Sequence, residues 1–483
     1  MGLSGETLPQ RAAARPWNLP GGARLVIGFE FCERVGFYSM VSLLALFLAD
    51  SRSGGGFGWD RSRALSILGL YSGLMYALPV AGGWIADRLF GHRRALALGG
   101  SLMLASYALL TAVVAFAGRT SVSAPLGYWS LPASLAPGMA QSYREATVAF
   151  WCSIAGLIGG NALIKSTLVV VLGDSFAGED RRREQAYAYY YAGINLGGLV
   201  AGIAAGSIAA SFGWAAAFGV SVLAMGVAMG AYALLGRRLL RSHPAPAAAA
   251  QPEKPSAMPV GSGTGTRLLI LAIFAALLLI YSIGSFQLWG TMSFYLEHNV
   301  DRHAGAFEIP TQWFTSIESV ALILAAPAFA ALWASLARRD REPGIVTKYT
   351  VALLLGAAGL LLFALSAWRA ANGIRPGWWL PAVGIFVQAT GEVAAWTVTY
   401  GLVYRLAPPR ASAAVMGAFY ALTLGLGAYL AGWLGTFAEA LSNDRYFLTL
   451  GAATAGIALA SLAMGAPIRS LAASSGAALE ARG

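Results

Sequence analysis

The chain has 483 residues, 57% hydrophobic and 11% charged, where a soluble protein of this size carries about 25% charged residues. That composition, with a mean hydropathy of +0.62, excludes a soluble globular fold and predicts an all-α polytopic membrane protein. The net charge of +11 is distributed as topology, not as a nucleic-acid surface: arginine clusters follow every even-numbered apolar run up to the eighth (Arg88, Arg93, Arg94; Arg181, Arg182, Arg183; Arg237, Arg238, Arg241; Arg338, Arg339, Arg341). This is the positive-inside pattern, and it predicts a multi-pass protein of a cell (inner) membrane with both termini in the cytoplasm.

Apolar runs long enough to cross about 30 Å of hydrocarbon fall at 24–49, 63–86, 95–116, 147–172, 187–210, 214–235, 267–296, 312–337, 348–370, 378–404, 411–436 and 446–466. The first is too long and too charged for a cleaved signal, so it reads as a retained helix. It holds Glu30, Glu33 and Arg34 in mid-span. Charges there cost roughly 2.5–3.5 kcal/mol each on insertion scales, so they need partners, water and usually a function. Glu30 and Arg34 are four apart and share a helix face, with Glu33 beside them. A small titratable network inside the membrane is what a proton-coupled carrier requires. The second run ends in GGWIADRLFGHRR (82–94), where Asp87 and Arg88 can latch a neighbouring helix end and the glycines permit close packing.

Lys165 lies in the fourth run, seven residues from its end, where it can also snorkel to the interface. The fifth run opens on Tyr187, Tyr189, Tyr190 and Tyr191, an interface belt or a pocket wall, and carries Asn195, an interhelical hydrogen bond or a site residue. Residues 237–266 have the Pro/Ala/Ser/Gly composition of a linker. They divide a cytoplasmic tail (1–23) and six-helix bundle (24–236) from a second bundle (267–466) and tail (467–483). Glu318 sits in the eighth run, as a pocket or vestibule residue, and Glu392 near the middle of the tenth. The two cysteines, Cys32 and Cys152, fall within spans and offer neither a disulfide framework nor a metal site. The four histidines, His92, His243, His298 and His303, lie in loops or at span ends, which leaves the coupling to carboxylates. No metal cluster, nucleophile elbow or phosphate loop points to an enzyme, and no cofactor is expected beyond a proton gradient.

Two six-helix bundles around a midplane site are the major facilitator architecture, and residues 82–94 resemble the signature loop of that superfamily. Five further elements occur in order. Glu30-x-x-Glu33-Arg34 followed by Phe37-Tyr38 resembles the ExxER motif of the proton-dependent oligopeptide transporter family. Gly160-Asn161-Ala162-Leu163-Ile164-Lys165 is similar to its Gly-Asn-x-x-x-Lys element. The stretch from Tyr187 through Asn195 to Gly197-Gly198 resembles its second signature, and Gly391-Glu392 and Met416-Gly417 match elements of spans ten and eleven.

The resemblance implies a proton-coupled symporter that imports small peptides, or peptide-like amino compounds, by alternating access. Glu30, Glu33 and Arg34 would couple the proton, and Arg34 and Lys165 would face the substrate carboxylate. Asn195 and Glu392 would receive its amine, Tyr38 and Tyr76 would line the cavity, and Asp87, Arg88, Lys165 and Glu392 would gate. The partners implied are a small zwitterionic or cationic substrate, protons and the bilayer, with the monomer as the working unit.

Departures from the family pattern bear on the substrate. Val41 and Phe286 stand where an outer-gate ion pair is usual, which predicts closure by apolar contact. Glu318 takes the place of a pocket asparagine, Trp396-Thr397 that of a Ser-Pro pair, Phe419 that of a tryptophan and Ser166-Thr167 that of a Pro-Asn pair. The expected amine pocket becomes more acidic and narrower, which favours a substrate with additional positive charge. A diverged carrier or exporter of another small charged metabolite, or a non-transporting sensor using the same cavity, remains open.

Overall fold

The computed structural model describes residues 19–51, 54–117, 137–176, 182–240, 263–408 and 412–474. Most of the 237–266 linker and the outer parts of both predicted tails lie outside these residues. The described residues form helices joined by loops, with a short hairpin pairing His303–Ala304 with Phe307–Glu308. Nine helices among the described residues are long and apolar enough to cross a membrane, and a bent pair, Arg61–Ala77 with Pro79–Phe90, makes a tenth. The helix Arg182–Leu239 crosses twice, because Gly213 breaks it with φ 78°, a left-handed angle that glycine adopts without strain. Trp379–Leu406, charged but 28 residues long, brings the spans to twelve.

In chain order, span one is Gly21–Ala49, span two the bent pair, span three His92–Ala117 and span four Pro137–Gly173. Spans five and six lie either side of Gly213. Span seven runs from Thr264 through a tight turn at Phe286–Trp289 into Thr291–Asn299. Spans eight, nine and ten are Trp313–Ala337, Ile345–Ala371 and Trp379–Leu406. Span eleven, Ser412–Gly435, is interrupted by a π-helical turn at Ala421–Gly425, and span twelve is Asn443–Ala463. Residues 467–474, expected as tail, continue a helix from Gly465 that buries Ile468 and Ala472.

The apolar runs read from sequence were continuous through three positions where the helices bend or change pitch. In span two the cause is Pro79. Its ring nitrogen has no hydrogen to give the carbonyl of Met75, four residues back, and no water is present in hydrocarbon to replace it. Asn161 of span four supplies the donor, Nδ2 to Met75 O at 2.8 Å.

The halves meet at the end opposite the arginine clusters. Gly69 approaches Gly432 so closely that a Cβ on Gly69 would lie 2.9 Å from the other's Cα. Trp313 Nε1 donates to Ser207 Oγ at 3.1 Å, and Ser316 Oγ donates to the Leu199 carbonyl at 2.8 Å. Between these contacts, Phe286 and Trp289 of span seven pack on Phe37, Tyr38 and Tyr76, with ring centroids 5.5–6.1 Å apart. Val41 is fully buried nearby. This closure is apolar. Gln287 turns away from it, accepting from Tyr446 at 2.9 Å and donating to the Ala431 carbonyl at 3.2 Å. At the arginine-bearing end Tyr191, Tyr400 and Tyr404 are exposed, so the central chamber is reached from that side.

Candidate functional site

The chamber has two chemically different walls. On the N-terminal wall, Glu30 and Glu33 are wholly buried and Arg34 nearly so. The Arg34 guanidinium grips Glu33 with two hydrogen bonds, Nε to Oε2 at 2.7 Å and Nη2 to Oε1 at 2.8 Å, and lies 3.5 Å from Glu30. Two parallel donors on one carboxylate are the strong form of this interaction. Lys165 reaches across from span four to Glu30 at 2.5 Å and Glu33 at 2.8 Å. Two carboxylates and two cations therefore form one neutral network, in which Glu30 keeps one buried oxygen, Oε2, without a hydrogen-bond partner.

Packing fixes that network. Gly197 lets span five approach span one at Arg34, since a Cβ there would fall 2.7 Å from the arginine's own Cβ. The Arg34 guanidinium carbon lies 4.5 Å from the centre of the Phe37 ring and 5.6 Å from that of Tyr38, so the aromatic closure caps the charge. Tyr190 is buried beside Glu30, which makes it a site residue in a run that sequence patterning left divided between belt and pocket.

The C-terminal wall is acidic. Glu318 and Glu392 lie near enough to interact electrostatically, with Ser285 in hydrogen-bonding reach of Glu318, and no lysine or arginine among the described residues forms an ion pair with either. One and two turns below Glu392 on the same helix face are Trp396 and Tyr400. Trp396 stacks on Tyr420 at 5.1 Å and 29°, and the Tyr400 and Tyr420 hydroxyls are 2.5 Å apart. Tyr400 shares the four-residue spacing of Glu392 and Trp396 and was legible on that ground. Tyr420 was not.

The other expected residues are placed less centrally. Asn195 is buried and donates Nδ2 to the Tyr191 carbonyl of its own helix at 3.0 Å. Tyr76 packs in the aromatic closure. Asp87 lies 3.5 Å from His92 and Arg88 over Trp84, 5.2 Å from the ring centre, so both are engaged locally. Lys165 pairs with the N-terminal glutamates and not with Glu392.

The Major Facilitator Superfamily model matches residues 26–432. A peptide transporter of Yersinia enterocolitica is 26% identical, covering 86% of this chain and 87% of the relative. The uncharacterized transporter YclF of Bacillus subtilis is 23% identical over 89% and 91% respectively. A crystal structure of the peptide transporter POT in complex with sulfate superposes with a TM-score of 0.79 at 21% identity, covering 95% of this chain and 97% of that one. The family resemblance carried by the ordered sequence elements is borne out.

Proposed function

This chain belongs to the Major Facilitator Superfamily, a transporter and not an enzyme, and on that premise we propose that it imports small peptides or peptide-like amino compounds together with protons. The observation that carries the reading is the neutral four-charge network of Glu30, Glu33, Arg34 and Lys165, buried beside a chamber that also presents Glu392. A zwitterion needs a cationic and an anionic pole within one cavity, and these two walls supply them.

Protonating a glutamate weakens its hold on the cation it pairs with. Glu30 carries the free oxygen, so a proton arriving there removes one of the two carboxylates that hold Lys165 and leaves it on Glu33 alone. The loosened ammonium can then meet the substrate carboxylate or swing toward Glu392 to close the arginine-side gate. Rocking of the two bundles about the chamber completes the cycle. The arginine-bearing face is cytoplasmic in this reading, so the structure is inward-facing, and the protein works as a monomer in the inner membrane.

Purified protein in liposomes, given an inward proton gradient, should accumulate labelled di- or tripeptide and stop when the gradient is collapsed by an ionophore. Binding without gradient-dependent accumulation would leave a sensor. Accumulation only under the opposite gradient would leave an exporter.

A further inference from the structure

Behind the aromatic rings, at the end opposite the arginine clusters, spans two, seven and eleven surround a small void with room for about one water molecule. Glycines create it. Gly69, Gly290 and Gly432 all line the void. A Cβ on Gly290 would lie 2.6 Å from Leu65 Cδ2, and one on Gly432 2.5 Å from the Leu65 carbonyl oxygen. The helices therefore close backbone to backbone, and no side chain at these positions fills what is left between them.

Two hydroxyls from opposite bundles line the same void, Ser72 of span two and Thr291 of span seven. Only 2% of Ser72 and 3% of Thr291 is exposed, and neither hydroxyl oxygen has a hydrogen-bond partner. Hydroxyls in these spans commonly fold back onto a carbonyl of their own helix. Ser166 reaches that of Ala162 at 3.1 Å and Thr423 that of Phe419 at 2.7 Å. Ser72 does not. The other polar groups nearby are committed. Gln287 donates to the Ile283 and Ala431 carbonyls, each at 3.2 Å. The Tyr446 hydroxyl, a neighbour of Thr291, gives its one hydrogen to Gln287 Oε1 at 2.9 Å. A buried hydroxyl left unpaired is costly, and a water bonded to both removes the cost on both sides. A metal cation does not fit, since it takes about six oxygens and no carboxylate among the described residues lines the void.

We propose that Ser72 and Thr291 hold one ordered water between the two bundles, a hydrogen-bonded bridge within the aromatic closure. Opening this end separates spans two and seven and hands both hydroxyls to bulk water. The bridge therefore belongs to the closed state and sets its stability. Nothing in this depends on what the chamber carries.

Substitutions have opposite signs with and without the water. With it, S72A or T291V removes one anchor and leaves the other hydroxyl and the water poorly bonded. Each should lower the closed-to-open ratio at this end about three- to tenfold. S72A/T291V leaves an apolar gap that no water need occupy, so the double variant should return to within about twofold of the parent. T291S keeps the hydroxyl and should behave as the parent. Spin labels at Ala210→Cys and Phe307→Cys, in the full-length protein lacking Cys32 and Cys152, read the ratio from the short and long distances. Unfolding midpoints should follow the same order, each single variant below both parent and double, and they decide the matter if only one distance is populated. If S72A does not fold, T291V against T291S carries the test. Without a bridging water, each single variant would relieve an unpaired hydroxyl and favour the closed end, and the double more so. That result, unchanged ratios, or additive opening in the double would overturn the proposal. So would a density map that resolves both side chains with no solvent peak within about 3.5 Å of both oxygens.

Discussion

Lys165 of span four holds Glu30 of span one at 2.5 Å, joining two helices of the same bundle through a charge that the resemblance also assigns to a gate with Glu392. One ammonium cannot serve both at once, so in the proposed cycle its allegiance changes with the state of the carrier. Lys165→Gln should therefore abolish proton-driven uptake while substrate counterflow is partly retained. Breaking one side of a buried ion network also costs about 3–5 kcal/mol, so thermal unfolding should shift downward. Lys165→Arg keeps the charge and should recover folding more fully than coupling, because a planar fork cannot reproduce a point charge shared by two carboxylates. Gradient-driven uptake that is unchanged in Lys165→Gln would refute the assignment.

Glu30 and Glu33 look equivalent in sequence but are bonded differently. Both Glu33 oxygens are held by Arg34, whereas Glu30 has one oxygen bare. Glu33→Gln turns an amide NH2 toward the guanidinium and should lose about 2 kcal/mol of stability. Glu30→Gln can keep its amide oxygen toward Lys165 and should unfold closer to the parent. Both should lose proton-driven accumulation. Unfolding curves in detergent check the order, and a less stable Glu30→Gln would contradict it.

How far the sequence could carry this site depended on the range of each interaction. The charges of span one were legible because an ionised group in mid-membrane demands an explanation by itself. The twelve crossings followed from hydropathy, and the apolar outer closure from the replacement of both members of a charge pair by Val41 and Phe286. The choice of Lys165 partner was not legible, since spans one and ten both offer glutamates and spacing along the chain does not choose between them. Nor was the stacking of Trp396 on Tyr420, which depends on how spans ten and eleven are rotated about their axes. The bends at Phe286 and Ala421 were hidden because hydropathy is blind to hydrogen-bond pitch.

The end opposite the arginine clusters closes on glycine. A Cβ at Gly202 would lie 2.6 Å from the Gln312 carbonyl oxygen and 2.7 Å from Thr315 Oγ1, so Gly202→Leu should hold that end apart. Spin labels at Ala210→Cys and Phe307→Cys, in a background lacking Cys32 and Cys152, should then show a longer distance than in the parent. Counterflow should fall by more than about tenfold, because the cycle cannot complete the closed state on that side. Superimposable distance distributions would show that the small residues are not what permits closure.

Asn161 offers a test of the physics that bends span two. Its amide donates to the Met75 carbonyl at 2.8 Å, the same carbonyl that Pro79 leaves without its usual helical donor. Asn161→Ala should therefore strand a carbonyl in a water-poor interior and cost about 1–3 kcal/mol. Pro79→Ala restores an N–H at the position from which a helix would satisfy Met75. In that background the cost of Asn161→Ala should shrink by at least about 1 kcal/mol, a coupling that a double-mutant cycle on unfolding free energy measures directly. Additive costs would mean that Asn161 stabilises the bundle through its packing and not by completing the broken helix. A straightened span two in Pro79→Ala should also change the approach of residues 82–94 to span four, where Gly82 packs directly on the backbone of Ala162. Transport in Pro79→Ala should therefore slow even if the protein becomes more stable, because in the proposed cycle the bend sets where the helical turn bearing Asp87 and Arg88 meets its neighbours as the bundles rock.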